Sequence, residues 1–208
     1  MAQQPKSRAR ERERRSGARQ RPTHGLLLPH EIEGLRAWAV AALQEGDRAG
    51  ALVVALLGTA GRRFEVAALR AGDVREGPGG PEVRFPETKG GGEAVVPVTP
   101  ETFRLLRSWV VAQGLAARDP LLPSMGGGFM HTTTVWRAFR VACRQAGIAR
   151  RVGVHATRHA GGFLLLRATG DITKVQAFLR HASPATTHAW YKHIHVPDLR
   201  AGLERAGL

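Results

Sequence analysis

Apolar residues three or four positions apart run through most of this chain, and this helical spacing gives way only between residues 72 and 98. Ile32, Leu35, Trp38 and Leu43 share one face of an expected helix that begins at Pro29. The stretch from Ala51 to Leu57 is apolar on all sides, which is typical of a helix buried in a core. Such a chain can bury its apolar side chains only as a mainly helical fold.

Further helices are predicted at about 62–69, 100–113, 132–146, 154–169, 172–180 and 185–192. Gly170 and Asp171 read as a helix-ending glycine followed by the N-cap of the next helix. Between residues 72 and 98 the period shifts towards two, and the segments 82–85 and 94–98 look like strands on either side of a hairpin-like loop. The prediction is an α+β fold, predominantly α-helical, with one small antiparallel β-sheet.

The two ends of the chain differ in composition. Residues 1–24 contain almost no large apolar side chain, so we expect a disordered basic arm there and a single compact domain over 25–208. A C-terminal helix at about 197–207 would place Leu199 and Leu203 on one face. That face would suit either a neighbouring subunit or the core of its own domain.

The charge of the chain favours a polyanionic partner. Lys and Arg number 31 against 17 Asp and Glu, a net charge of +14. Residues 1–22 hold eight basic and two acidic residues, a net +6, so 14 − 6 = +8 remains on the rest. Such a field attracts nucleic acid through counterion release, but it does not distinguish DNA from RNA.

Several classes of protein are excluded by composition. No apolar run approaches the roughly 18 residues that a membrane span needs. Cys143 is the single cysteine, so a disulfide framework and a cysteine-based zinc site are both impossible. We therefore expect a cytoplasmic protein without a membrane partner.

Residues suited to chemistry on a phosphate gather in the C-terminal third. His155 and Arg158 form a His-x-x-Arg pair, although about one such pair is expected by chance among nine His and 31 − 4 = 27 Arg. Tyr191 is the single tyrosine and lies ten residues after His181. Lys89, one of only four lysines, lies in the glycine-rich loop. Taken alone, a tyrosine near a C-terminus is more often a packing residue.

The order of these residues along the chain carries more information than any one of them. Over residues 27–196 it resembles the catalytic domain of the tyrosine recombinase (phage integrase) family. The matching elements are an arginine after a glycine turn with an acidic residue three positions later, a hairpin lysine, a His-x-x-Arg motif, a second histidine and a tyrosine: Arg62, Glu65, Lys89, His155, Arg158, His181 and Tyr191. The segment 158–163 and the short N-terminal region are similar to the short recombinases that invert fimbrial promoters.

The resemblance implies a role for each residue. Arg62 and Arg158 would clamp the non-bridging phosphate oxygens, because a guanidinium offers bidentate hydrogen bonds. His155 and His181 would donate hydrogen bonds or move protons, and Glu65 would support the first arginine. Tyr191 would be the nucleophile, and Lys89 the general acid for the departing oxygen. Phosphoester exchange is nearly isoenergetic, so neither a metal nor another cofactor is expected.

The same resemblance implies a site-specific integrase or recombinase that acts on double-stranded DNA as a homo-tetrameric synapse, in a bacterium, phage or mobile element. Two alternatives remain open at this point. One is a non-catalytic DNA-binding accessory protein or regulator on the same fold, and the other is a monomeric enzyme similar to a type IB topoisomerase.

Three departures from the family pattern are visible. Arg180 stands where a glycine usually precedes the second histidine. Separately, Arg63 is the alternative to Arg62 if the register of the first arginine differs by one. The gap from His181 to Tyr191 is one residue longer than usual, so Trp190 occupies the usual tyrosine position. One residue turns a helical side chain by about 100°. Finally, only the basic arm precedes the match, where the family usually carries a helical DNA-binding domain.

Overall fold

The computed structural model describes residues 25–88 and 91–181. Seven α-helices lie in this part of the chain: α1 (Pro29–Gln44), α2 (Arg48–Thr59), α3 (Arg63–Ala67), α4 (Pro100–Ala112), α5 (Thr132–Gln145), α6 (His155–Thr169) and α7 (Ile172–Leu179). Three strands lie between α3 and α4: β1 (Val74–Gly77), β2 (Gly80–Phe85) and β3 (Ala94–Pro97). The predicted fold class, mainly helical with one small antiparallel sheet, is confirmed.

Helix α2 is the centre of the core. Every residue from Gly50 to Leu56 is buried, and α1, α4, α5 and α6 all pack against this helix. Gly50 permits the close crossing of α1, because a Cβ there would lie 2.4 Å from the backbone nitrogen of Leu43. The all-round apolar sequence therefore has a direct cause: between Gly50 and Leu56 no face of α2 meets solvent.

The sheet is a meander with the order β1-β2-β3, antiparallel throughout. Val83 pairs with Val74 on one side and Val96 on the other, and all three are buried. Strand β1 is absent from the sequence prediction because Val74 is its one large apolar residue, which gives no two-residue period. Phe85 ends β2 with its ring buried, and the β2–β3 loop follows directly.

Helix α3 is shorter than the predicted stretch 62–69. The chain leaves the helix after Ala67 because the carbonyl of Leu69 accepts a hydrogen bond from the backbone of Leu121 at 2.8 Å. Arg62 is the N-cap of α3 rather than part of it. This short helix, together with the turn before it, presents Arg62 and Glu65 from neighbouring points of the chain.

The junction between α6 and α7 matches its prediction. Gly170 ends α6 at φ +65°, and the Asp171 carboxylate accepts hydrogen bonds from the backbone nitrogens of Thr173 and Lys174. The predicted arm at 1–24 and the predicted helices at 185–192 and 197–207 lie outside the described residues. In the part of the chain described here, no helix is both long enough and apolar enough to cross a bilayer.

Candidate phosphate-binding site

The candidate site is built around the turn that joins α2 to α3. Ala60 ends α2 in a left-handed conformation at φ +48°, and Arg62 follows two residues later at the start of α3. Nη1 of Arg158, on α6, donates a hydrogen bond to the carbonyl oxygen of Ala60 at 2.7 Å. Arg158 is only 4% exposed, so α6 fixes this turn from the interior of the protein.

Glu65 organises the arginines at this turn. Its carboxylate is fully buried, with a side-chain exposure of 0%. Oε1 accepts from Nη1 of Arg62 at 2.7 Å, while Oε2 accepts from the Arg62 backbone nitrogen at 2.7 Å and from Nη2 of Arg180 at 2.6 Å. One buried carboxylate therefore holds the guanidinium of Arg62, three residues from Glu65 in the sequence, and that of Arg180, 115 residues from it.

The first-arginine register is decided by exposure and contact. The Arg62 side chain is 17% exposed and is bonded to Glu65, whereas Arg63 is exposed to solvent. Arg62 also reaches the end of α7, because its Nη2 lies 3.5 Å from the carbonyl oxygen of Arg180. The structure therefore brings Arg62, not Arg63, into the cluster.

His181 completes the cluster directly after α7. Its backbone nitrogen donates to the carbonyl of Gln176 at 3.2 Å, which holds the residue at the helix end. Burial is the largest cause that lowers the pKa of His181 to about 4, and the nearby positive charges of Arg158, Arg62 and Arg180, with His155, account for the rest. At neutral pH the imidazole is uncharged, so it offers one hydrogen-bond donor and one acceptor.

His155 and His159 stand one turn apart on α6. Their rings meet edge to face with the centroids 6.4 Å apart. His159 is half-buried, and burial, with His155 and Arg158, lowers its pKa to about 4. Its electrostatic coupling to the site was missed, although the i, i+4 spacing from His155 placed it on the same helical face.

Arg180 is the other site residue that sequence reasoning missed. The sequence marks it only as a replacement for the usual glycine, and one more arginine in an arginine-rich chain gives no signal. Its guanidinium contacts Glu65 and also stacks on Phe85, with Cζ 4.5 Å from the ring centroid. Phe85 is the last residue of β2 and directly precedes the loop whose sequence contains Lys89.

The remaining candidate residues are Lys89 and Tyr191, which lie outside the described residues. Among residues 25–88 and 91–181, no three His, Cys, Asp or Glu side chains come together in a way that could hold a metal ion. What the described part provides is a buried carboxylate that holds Arg62 and Arg180, with Arg158 bonded to the adjoining turn and His181 close to these positive charges. Such a cluster is suited to binding a phosphate anion.

Comparison with known proteins identifies relatives of this chain. The model of the phage integrase family matches residues 28–196. Tyrosine recombinase XerC of Xylella fastidiosa (strain M23) is 33% identical over 106 residues, which are 51% of this chain and 36% of the relative. An integrase/recombinase of Escherichia coli is 37% identical over 86 residues, 41% of this chain and 25% of the relative. The chain thus matches about a third or less of the length of these curated relatives.

Solved structures share the fold. The XerA recombinase has a TM-score of 0.71 at 27% identity, covering 88% of this chain and 65% of that chain. The catalytic domain of bacteriophage HP1 integrase has a TM-score of 0.61 at 21% identity, covering 86% of this chain and 94% of that chain. The second likeness concerns the fold alone. It shows that most of this chain and nearly all of that domain share one fold.

Proposed function

The chain belongs to the phage integrase family, and we propose that it cleaves and rejoins DNA strands as a site-specific recombinase or integrase. The observation that carries the proposal is the convergence of Arg62, Arg158 and His181 from three separate segments on one turn. Two guanidiniums can grip the non-bridging oxygens of a phosphodiester and stabilise the charge that grows on them during attack. His155, beside His159 on α6, adds a further hydrogen-bonding group.

In the proposed reaction the phenol oxygen of Tyr191 attacks the phosphorus. A phosphotyrosyl bond to the 3′ side of the DNA forms, and the bond to the 5′ oxygen breaks. The phenol proton passes to an imidazole, and Lys89 gives a proton to the departing 5′ oxygen, which leaves as a hydroxyl. Attack by a 5′ hydroxyl on the phosphotyrosine reverses each step. One phosphoester replaces another, so the exchange needs no external energy source.

The histidine electrostatics fit a site that becomes active when DNA binds. With a pKa of about 4, His181 is a weak proton acceptor at neutral pH. A phosphodiester anion placed among the arginines would offset their charge and raise the pKa of His181 towards its ordinary value. The same anion that is to be cleaved would thereby improve the imidazole as a hydrogen-bonding and proton-accepting group.

The partners are part of the proposal. The structural neighbours include XerH bound to a palindromic difH substrate and a lambda integrase dimer bound to a COC′ core site. By analogy, double-stranded DNA with a two-fold site is the proposed substrate, and a homo-tetrameric synapse is the proposed assembly. A bacterial cytoplasm, with the gene on a chromosome, phage or mobile element, is the proposed setting.

The proposal is tested by trapping the covalent intermediate. The probe is a pool of duplexes with a randomised central segment and a nick placed so that the cleaved fragment diffuses away. Wild-type protein should give an adduct that survives denaturant, because loss of the fragment prevents rejoining. Protease digestion and mass spectrometry should find the nucleotide on Tyr191, and sequencing of the trapped DNA should give the target site.

Two other outcomes would replace the proposal. Tight binding to the same pool with no adduct would identify a non-catalytic DNA-binding protein on this fold. Relaxation of any supercoiled plasmid, with adducts spread over unrelated sequences, would identify an enzyme similar to a type IB topoisomerase.

We further propose that the basic arm grips DNA through its charge. Deleting residues 1–24 is expected to weaken binding and to reduce the slope of log K against log salt by about 3–5, since each phosphate contact contributes about 0.9 to that slope. Titrations at several salt concentrations measure it. A full-length variant with the arm's basic residues changed to glutamine is the matched control for length. An unchanged slope in both would remove the arm from the interface.

A further inference from the structure

Arg180 has a backbone conformation that favours another residue. It ends α7 at φ +51° and ψ +47°, and with Ala60 it is one of two non-glycine residues at positive φ in the described part of the chain. A Cβ strains this left-handed region, while glycine adopts it freely. Contacts of the Arg180 side chain must therefore offset what the backbone costs.

Those contacts all lead to the candidate site. The side chain is only 13% exposed. Its Nη2 donates to Oε2 of Glu65 at 2.6 Å, and its guanidinium lies over the Phe85 ring at 4.5 Å. The carbonyl oxygen of Arg180 lies 3.5 Å from Nη2 of Arg62. The backbone of Arg180 thus contacts Arg62 directly, and the Arg180 side chain is linked to Arg62 through Glu65.

The sharing of Glu65 also sets the charge of the site. If Glu65 faced Arg62 alone, one negative charge would neutralise one positive charge, and Arg62 would attract a phosphate weakly. With Arg180 bonded to the same carboxylate, the three groups carry a net +1 before Arg158 is counted. Because the carboxylate is buried, these charges act on each other with little screening by water.

We propose that Arg180 is a positioning residue that holds Glu65, fixes the guanidinium of Arg62 and preserves its charge for the DNA phosphate. The inference deepens the proposed function and rests on it. It assigns a role to a position where the resemblance leads one to expect glycine.

His181 gives an independent readout of this role. The described groups that lower its pKa by charge are Arg62 at the start of α3, Arg158 and His155 on α6, and Arg180 itself. Burial is the largest cause and would remain in a glycine variant. Removing one of the positive charges relieves repulsion of the imidazolium, so the pKa of His181 should rise from about 4 towards its ordinary value.

Arg180→Gly and Arg180→Lys separate positioning from folding. Glycine removes both the cation and the backbone strain, so the substitution adds no backbone cost that would lower the melting temperature. We expect single-turnover adduct formation by Arg180→Gly to slow by ~10–100-fold, because Arg62 loses its orientation in the transition state. DNA affinity should fall by less than about 3-fold, because the weakened attraction concerns a single phosphate. Lysine keeps the charge and should recover part of the rate. Arg36→Ala, which removes an exposed arginine paired with Glu101, is the control for general loss of charge.

The outcomes distinguish this inference from the proposed function. A wild-type rate together with an unchanged His181 pKa, measured by NMR in Arg180→Gly, would overturn it. An equal loss of adduct-formation rate in the glycine and lysine variants, together with a lowered melting temperature, would also overturn it, since that pattern indicates a structural role. If wild-type protein forms no adduct at all, the proposed function fails and the role of Arg180 in it fails as well. An adduct with wild-type protein, together with an unchanged rate and an unchanged His181 pKa in Arg180→Gly, overturns the positioning role alone.

Discussion

Tyr191→Phe is expected to reduce covalent adduct formation below detection while DNA affinity stays within about 2-fold of wild type. Phenylalanine differs from tyrosine by one oxygen, and that oxygen is the proposed attacking atom. The described arginines and histidine that would bind the phosphate lie at the start of α3, on α6 and directly after α7, and Tyr191→Phe leaves them unchanged. The nicked-duplex assay measures the adduct, and a filter-binding or anisotropy titration measures affinity.

A pair of variants tests the position of the nucleophile. Trp190 occupies the usual tyrosine spacing from the second histidine, one residue before Tyr191. Trp190→Phe keeps an aromatic side chain and should retain the adduct, which makes it the matched control. Combining Trp190→Tyr with Tyr191→Phe moves the hydroxyl back by one residue, about 100° around a helix. We expect this double variant to stay inactive. Recovery of the adduct would mean that the site is built for the shorter spacing.

Glu65→Ala is expected to lower the free energy of unfolding by ~3–5 kcal/mol, the largest stability effect of a single substitution at the site. The carboxylate is fully buried and accepts hydrogen bonds from Arg62 and Arg180. Without it, two largely buried guanidiniums would face each other with no negative charge between them. Urea unfolding at neutral pH, followed by circular dichroism, measures the loss.

Asp73→Ala is the control for Glu65→Ala. Asp73 is also fully buried, and it accepts from Nε of Arg84 at 2.9 Å and from the backbone nitrogen of Arg70 at 2.8 Å. The Arg84 side chain is 34% exposed, so water can hydrate it when its partner is lost, and the cost should be smaller. Only the Glu65 variant should also slow adduct formation per folded molecule. A loss below about 1 kcal/mol for Glu65→Ala would show that the two arginines relax into solvent.

The local pattern of residues along the chain determined much of the fold. The period of the apolar residues predicted helices α1, α2 and α4 to α7 and located β2 and β3, and the residue types at Gly170 and Asp171 predicted one helix end and the next start. These features depend on interactions within three or four residues, which the sequence displays directly. The family was indicated by the order of six residues along the chain, and it is confirmed: Arg62, Lys89, His155, Arg158, His181 and Tyr191.

Tertiary contacts decided the rest. Strand β1 owes its existence to pairing with β2, and α3 ends early because Leu69 bonds to Leu121, 52 residues away by number. The sharing of Glu65 between Arg62 and Arg180 joins positions 115 residues apart, and no local pattern announces it. The low pKa of His181 arises from burial and from charges brought in by three different segments. The sequence alone could name candidate residues for a phosphate site. Which arginines share the buried carboxylate of Glu65 depends on how α3, α6 and α7 pack together, because charge interactions are set by distance in space and not along the chain.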